Sequence, residues 1–139
     1  MGTEVIRVKE LSEIEPEECW KLLRLTTVGR LAVSVRNRPD IFPVNYAVDD
    51  KGDMSIVINT APGTKLAAAV LGRGVAFEVD VLDPITRSGW SVVLKGPALE
   101  VEELPDLLEV EALELETWSS ADKSRYLRLV PNSVTGRRI

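Results

Sequence analysis

The chain has no histidine among its 139 residues. That removes the Ser-His-Asp and Cys-His arrangements and most catalytic zinc sites, all of which depend on imidazole. Cys19 is the only cysteine, which excludes an internal disulfide and points to a cytoplasmic home. No apolar run approaches the ~20 residues that span a bilayer. The segment Met1-Gly2-Thr3-Glu4-Val5-Ile6-Arg7 is too charged for a signal peptide, and Ile6 breaks the myristoylation pattern. Basic residues are in deficit, 17 against 22 acidic ones, and the net charge of -5 argues against broad nucleic-acid binding. A Walker A loop is missing, and Gly72-Arg73-Gly74 falls after a helix-like run rather than between strand and helix, so it is no dinucleotide fingerprint. No internal repeat, low-complexity segment or linker interrupts the chain, which reads as one domain over residues 1–139.

Apolar residues make up 45% of the chain, enough for a sizeable core. Their spacing sets out the elements. Residues 16–25 read as a helix, with Pro16 at its first position, Glu17 and Glu18 in its first turn, and Trp20, Leu22 and Leu23 on its apolar side. Period-two alternation marks strands at Leu31–Val35, Phe42–Val48, Met54–Asn59 and Val75–Val81. A fifth strand starts at Trp90 and runs toward Val101, and a sixth covers Tyr126–Val130. Asn37-Arg38-Pro39-Asp40 and Asp49-Asp50-Lys51-Gly52-Asp53 carry turn chemistry. A short helix is expected at 64–71, closed by Gly72, and Pro105 opens a longer one. Six short strands with few helices predict a mainly β fold, a small six-stranded antiparallel barrel.

Four segments carry possible chemistry, each with an ordinary structural alternative. Asn59-Thr60-Ala61-Pro62-Gly63-Thr64-Lys65-Leu66 joins a strand to a helix start. Unpaired amides, two threonine hydroxyls and a lysine suit a phosphate there. The same residues also describe a capped helix with a solvated lysine. Pro43 inside a strand marks a place without a ladder bond, where backbone groups can meet a planar ligand, or else a plain edge. Gly89-Trp90-Ser91 puts an indole beside a hydroxyl, as a ring pocket or as core. Arg137 and Arg138 can bind phosphate across a subunit interface or form a solvated tail.

Taken in order, Val28-Gly29-Arg30-Leu31-Ala32-Val33, Pro43-Val44-Asn45-Tyr46, Thr60-Ala61-Pro62-Gly63-Thr64-Lys65-Leu66, Val75-Ala76-Phe77-Glu78-Val79-Asp80, Gly89-Trp90-Ser91-Val92-Val93 and Thr135-Gly136-Arg137-Arg138-Ile139 resemble the pyridoxamine 5′-phosphate oxidase-like family of flavin-binding split-barrel proteins. The resemblance spans residues ~16 to 139. It implies a split barrel and a homodimer with flavin mononucleotide (FMN) at the subunit interface. It implies that Pro43, Val44, Asn45 and Tyr46 run beside the flavin ring, that Thr60, Thr64 and Lys65 hold the phosphate, and that Asn59 and Leu66 also belong to the cofactor site. Trp90, Ser91 and Arg137 then complete the cofactor site. The chain departs from the family at Asn59, where many relatives carry His or Arg, and at Thr64-Lys65, where the longer oxidases carry two basic residues. Those departures set pyridoxamine 5′-phosphate aside as the expected substrate.

The expected activity is that of a flavin-dependent oxidoreductase acting on a small molecule, with no metal. Without histidine, proton delivery falls to solvent, Tyr46, Tyr126 or a carboxylate such as Glu78. The alternatives are a deazaflavin-dependent reductase of the same fold, a non-enzymatic flavin-storage protein, and a barrel without cofactor that serves as an interaction module.

Overall fold

A computed structural model of the chain describes residues 12–60, 74–101, 104–111, 113 and 125–139. In chain order the elements are β1 (Glu13–Ile14), α1 (Pro16–Leu23), β2 (Val28–Val35), β3 (Arg38–Asp49), β4 (Ser55–Thr60), β5 (Gly74–Asp83), β6 (Ser88–Glu100), α2 (Leu104–Glu111), β7 (Arg125–Leu129) and β8 (Ser133–Arg138). The expected helix at 64–71 and its Gly72 cap lie outside the described residues.

All strand pairings are antiparallel. Following the ladders from β6 through β5, β2, β3, β4 and β7 leads back to β6, so these six strands close a barrel. The six strands expected from alternation are these six. Closure removes the exposed sheet edges that would otherwise invite aggregation. The split lies along β6. Trp90 to Lys95 pair with β8, whereas Ala98 to Glu100 pair with β7. Gly96 and Pro97 occupy the change-over. A Cβ on Gly96 would come within 2.9 Å of the Val130 carbonyl oxygen, so this position admits nothing larger.

Two elements differ from the sequence expectation. Arg38, Pro39 and Asp40 belong to β3, not to a turn. The turn is Arg36-Asn37 alone, both at positive φ (52° and 62°), with Val35 opposite Arg38. That is the two-residue hairpin whose twist matches its strands. The C-terminal residues form β8 on β6, with β1 on its far side, rather than a solvated tail.

Alternate residues of the barrel strands fill the interior. Leu31, Tyr46, Ile58, Phe77, Val92 and Leu127 are among the buried side chains of this cluster, and the Tyr46 and Phe77 rings meet edge to face at 4.9 Å between centroids. Helix α1 packs on β8 and β6 and adds Cys19, Leu22 and Leu23 to the same cluster. Its start is built as expected, with Pro16 in the first turn, Glu17 and Glu18 favourable to the helix dipole, and Lys21 in the last turn. Among the described residues, no helix is long and apolar enough to cross a membrane.

Candidate functional site

Because strand side chains alternate, the interior cluster determines which residues face outward. Val44 and Tyr46 of β3 lie in the interior, so Pro43 and Asn45 face out. Ile56 and Ile58 of β4 lie in the interior, which puts Asn59 on the outer side. Trp90 and Val92 point inward from β6, leaving Ser91 outside. Gly136 presses against Cys19 of α1, so Arg137 on β8 turns away from the helix, while Arg138 reaches back to Glu18 at 3.8 Å.

The residues expected to hold a cofactor therefore divide by face. Pro43, Asn45, Asn59, Ser91 and Arg137 point to the outer side of the sheet, where Asn45 and Asn59 are nevertheless buried. Val44, Tyr46 and Trp90 belong to the core. The Tyr46 hydroxyl donates to the Leu23 carbonyl oxygen and is hydrogen-bonded to Thr26. Burial raises its pKa, against the opposing effect of the Thr26 hydrogen bond. That side chain ties α1 to the barrel and does not open onto the outer face. Thr64, Lys65 and Leu66 lie outside the described residues.

Three buried polar atoms stand out. The Oδ1 atoms of Asn45 and Asn59 and the Oγ1 of Thr60 have no hydrogen-bond partner among the described residues. Asn45 and Asn59 are opposite one another on β3 and β4, and Thr60 is the next residue of β4. Each such atom costs about 1–3 kcal/mol if left unpaired. By the alternation of β4 the Thr60 side chain follows Ile56 and Ile58 to the inner side, so only the Asn45 and Asn59 amides share the outer side. Just beyond them the ladder thins. β4 pairs with β3 only over Asn45 to Asp49, so among the described residues Arg38 to Val44 pair with β2 alone. Pro43, which has no N–H to donate, sits in that half-open stretch.

One cross-strand row leads away from Pro43. It passes through Arg30 on β2, Glu78 on β5, Val93 on β6 and Thr135 on β8. A second row joins Asp80, Ser91, Arg137 and Glu13. Where the rows adjoin, Arg30 Nη1 donates to Glu78 Oε1 at 3.0 Å and to Asp80 Oδ2 at 3.1 Å. Burial first, and then the neighbouring Asp80, push the Glu78 carboxyl up to about 7 against the pull of Arg30. On the same surface Ala32, Ala76 and Gly96 leave a groove of about 680 Å³, with Lys95 in its wall.

A separate polar cluster lies at the other end of β3. Arg128 Nη1 donates to Asp49 Oδ2 at 2.8 Å and to Ser55 Oγ at 2.7 Å. Burial alone would raise the Asp49 pKa. The Lys51 amide and Arg128 outweigh it and hold the carboxyl below the usual carboxylate range. This cluster lines a groove of about 530 Å³ that also includes Glu100, Asp106 and Glu109.

Sequence reasoning named Glu78 only as one possible carboxylate and missed its pairing with Asp80 and Arg30. The signal was there: two acids at i and i+2 in an apolar strand share one face. The Arg128–Asp49 pair left no such local trace, because its members are 79 residues apart.

Comparison with known proteins bears on this arrangement. A family model described as pyridoxamine 5′-phosphate oxidase matches residues 15–138. The uncharacterized protein Rv0080 of Mycobacterium tuberculosis is 33% identical over 136 residues, covering 94% of this chain and 87% of that protein. The solved FAD binding protein of Mycobacterium smegmatis gives a TM-score of 0.80 at 34% identity, over 92% of this chain and 98% of that one. A FAD-binding protein of Mesorhizobium loti gives 0.71 at 24% identity, over 91% and 96%, and supports the fold alone. With the split barrel closed as described and the match running through nearly every element, the chain belongs to the pyridoxamine 5′-phosphate oxidase family.

Proposed function

We propose that the protein binds a flavin nucleotide on the outer face of its barrel and uses it as an oxidoreductase on a small molecule. The observation that carries this reading is the facing pair of buried side-chain oxygens on Asn45 and Asn59, which have no hydrogen-bond partner among the described residues. A flavin nucleotide has the matching groups, a ring with amide-like donors and acceptors and a phosphate that accepts hydrogen bonds. The solved relative from M. smegmatis, an FAD binding protein at 34% identity, supports the same class of ligand. FMN is the form proposed. FAD is the nearest variant, and a deazaflavin is a further one that requires a more basic groove.

When bound, a flavin supplies two-electron hydride chemistry. The chain supplies position. Asn45 and Asn59 orient the ring, and the half-open stretch of β3 around Pro43 lies alongside it. Thr60, Thr64 and Lys65 take the phosphate, with Leu66 starting the helix behind them. Val44, Tyr46 and Trp90 act from within, by fixing the strands that carry these groups.

The strand spacing supports a homodimer. Asn45 and Ser91 are three strands apart, about 14 Å at the usual strand separation, which is too far for one ring to touch both. Two copies meeting on this face would bring Ser91 and Arg137 of one against the ring held by β3 and β4 of the other. A cytoplasmic location is part of the same reading, given the single reduced cysteine.

The lack of histidine favours one rival, a flavin carrier with no substrate of its own. Anaerobic photoreduction of the FMN-loaded protein, followed by mixing with organic acceptors and with oxygen, tests the choice. An oxidoreductase re-oxidises faster with at least one organic acceptor than with oxygen. Re-oxidation by oxygen alone identifies the carrier.

A further inference from the structure

Glu78 and Asp80 stand two residues apart on the outer face of β5, and a single nitrogen of Arg30 serves both. Two carboxylates against one guanidinium leave an uncompensated negative charge, which one shared proton removes. The pair lies between the two groups of proposed cofactor contacts. Arg30 is opposite Pro43 on one side, and Asp80 is opposite Ser91, itself opposite Arg137, on the other. In the two rows that cross the pair, the other charged side chains are Arg137 on β8 and Glu13 on β1, with Lys95 further along β6 and the uncharged Pro43 on β3. The Glu78 and Asp80 side chains are 32% and 25% exposed, so water reaches them. The groove beside them, in the size range of small-molecule pockets, is open on the same face.

Resting on the flavin reading above, we propose that the Glu78–Asp80 pair takes up a proton when a flavin nucleotide covers this face, so that cofactor binding and protonation are linked. A ligand laid over the pair displaces its water, which disfavours the second negative charge. Linkage then requires that the affinity for the cofactor fall as pH rises above the titration of the free pair near neutrality, by up to tenfold per pH unit. The pair thereby holds a transferable proton on a face that has no histidine.

Titration calorimetry of FMN into the full chain at about pH 8, repeated in buffers of different ionisation enthalpy, counts the protons taken up. The expected result is uptake approaching one proton per FMN in the wild type and close to none in Glu78→Gln, whose affinity also loses its pH dependence. Asp80→Asn serves as a second variant, since removing the like charge moves the uptake to lower pH. FMN binding without proton uptake, or with unchanged uptake in both variants, overturns the linkage and leaves the flavin reading intact. No FMN binding under any condition overturns that reading and the linkage with it.

Discussion

Asn45 and Asn59 face one another across β3 and β4, and neither side-chain oxygen has a hydrogen-bond partner among the described residues. Folding alone gives no reason to bury two such amides on adjacent strands, because an apolar pair would hold the sheet at less cost. Under the proposed function, the flavin completes them. Asn45→Leu, close in size and without the orphaned group, should leave the ligand-free protein as stable as wild type or about 1 kcal/mol more stable. FMN affinity should fall at least about tenfold, as expected for a lost buried hydrogen bond. Urea denaturation and a fluorescence titration measure the two effects separately, and loss of stability without loss of affinity would count against the site.

Lys65 is the proposed phosphate cation. Lys65→Ala should weaken FMN binding by about 1.5–3 kcal/mol, the value of a charge-assisted hydrogen bond, while riboflavin, which has no phosphate, should bind both forms alike. Equal FMN affinity in the two proteins would remove the phosphate from this loop.

Arg128 tests the polar cluster that lies outside the proposed cofactor site. Asp49 is nearly buried, and its charge is met by Arg128 and by the Lys51 amide. Arg128→Ala leaves that carboxylate without its cation and should cost about 3 kcal/mol in urea denaturation near neutral pH, with FMN affinity unchanged. The pH dependence has a definite sign. The folded-state pKa of Asp49 is depressed, so its contribution is present above the ordinary aspartate range of about 4 and is lost as pH falls through the lower folded value. The variant should show a smaller loss on acidification than wild type.

Glu78 has the opposite sign. Its folded-state pKa lies at about 7, above the ordinary 4.5, so the folded protein loses stability as pH rises from the lower value to the higher. Glu78→Gln should therefore be more stable than wild type at about pH 8, by of order 1–2 kcal/mol after allowance for the carboxylate's partial exposure. Below about pH 5 the advantage should disappear. Denaturation midpoints across that range check it.

Much of the barrel was legible because its chemistry is local. Leu31, Val33 and Val35, then Phe42, Val44, Tyr46 and Val48, alternate as strands packed on one side must. Residues Arg38 to Asp40 were misplaced because that end of β3 is exposed and has no apolar side to display. β8 was missed for a related reason. Of Ser133, Val134, Thr135, Gly136, Arg137 and Arg138 only Val134 is apolar, and what makes them a strand is the ladder with β6, about 40 residues away in sequence. The same limit applies to the site. Asn45 and Asn59 look like ordinary outward strand positions until the register places them opposite each other, and Trp90 can be read as pocket or core until the direction of β6 is known.

The central claim is that the barrel's outer face holds a flavin nucleotide. Its most direct test is a titration of the purified chain with FMN, followed by the flavin's visible absorption after the free ligand has been removed, with mass analysis of whatever is extracted. The account predicts retained flavin at one per chain, on a dimer. A chain that stays colourless and releases no flavin of any kind would contradict it.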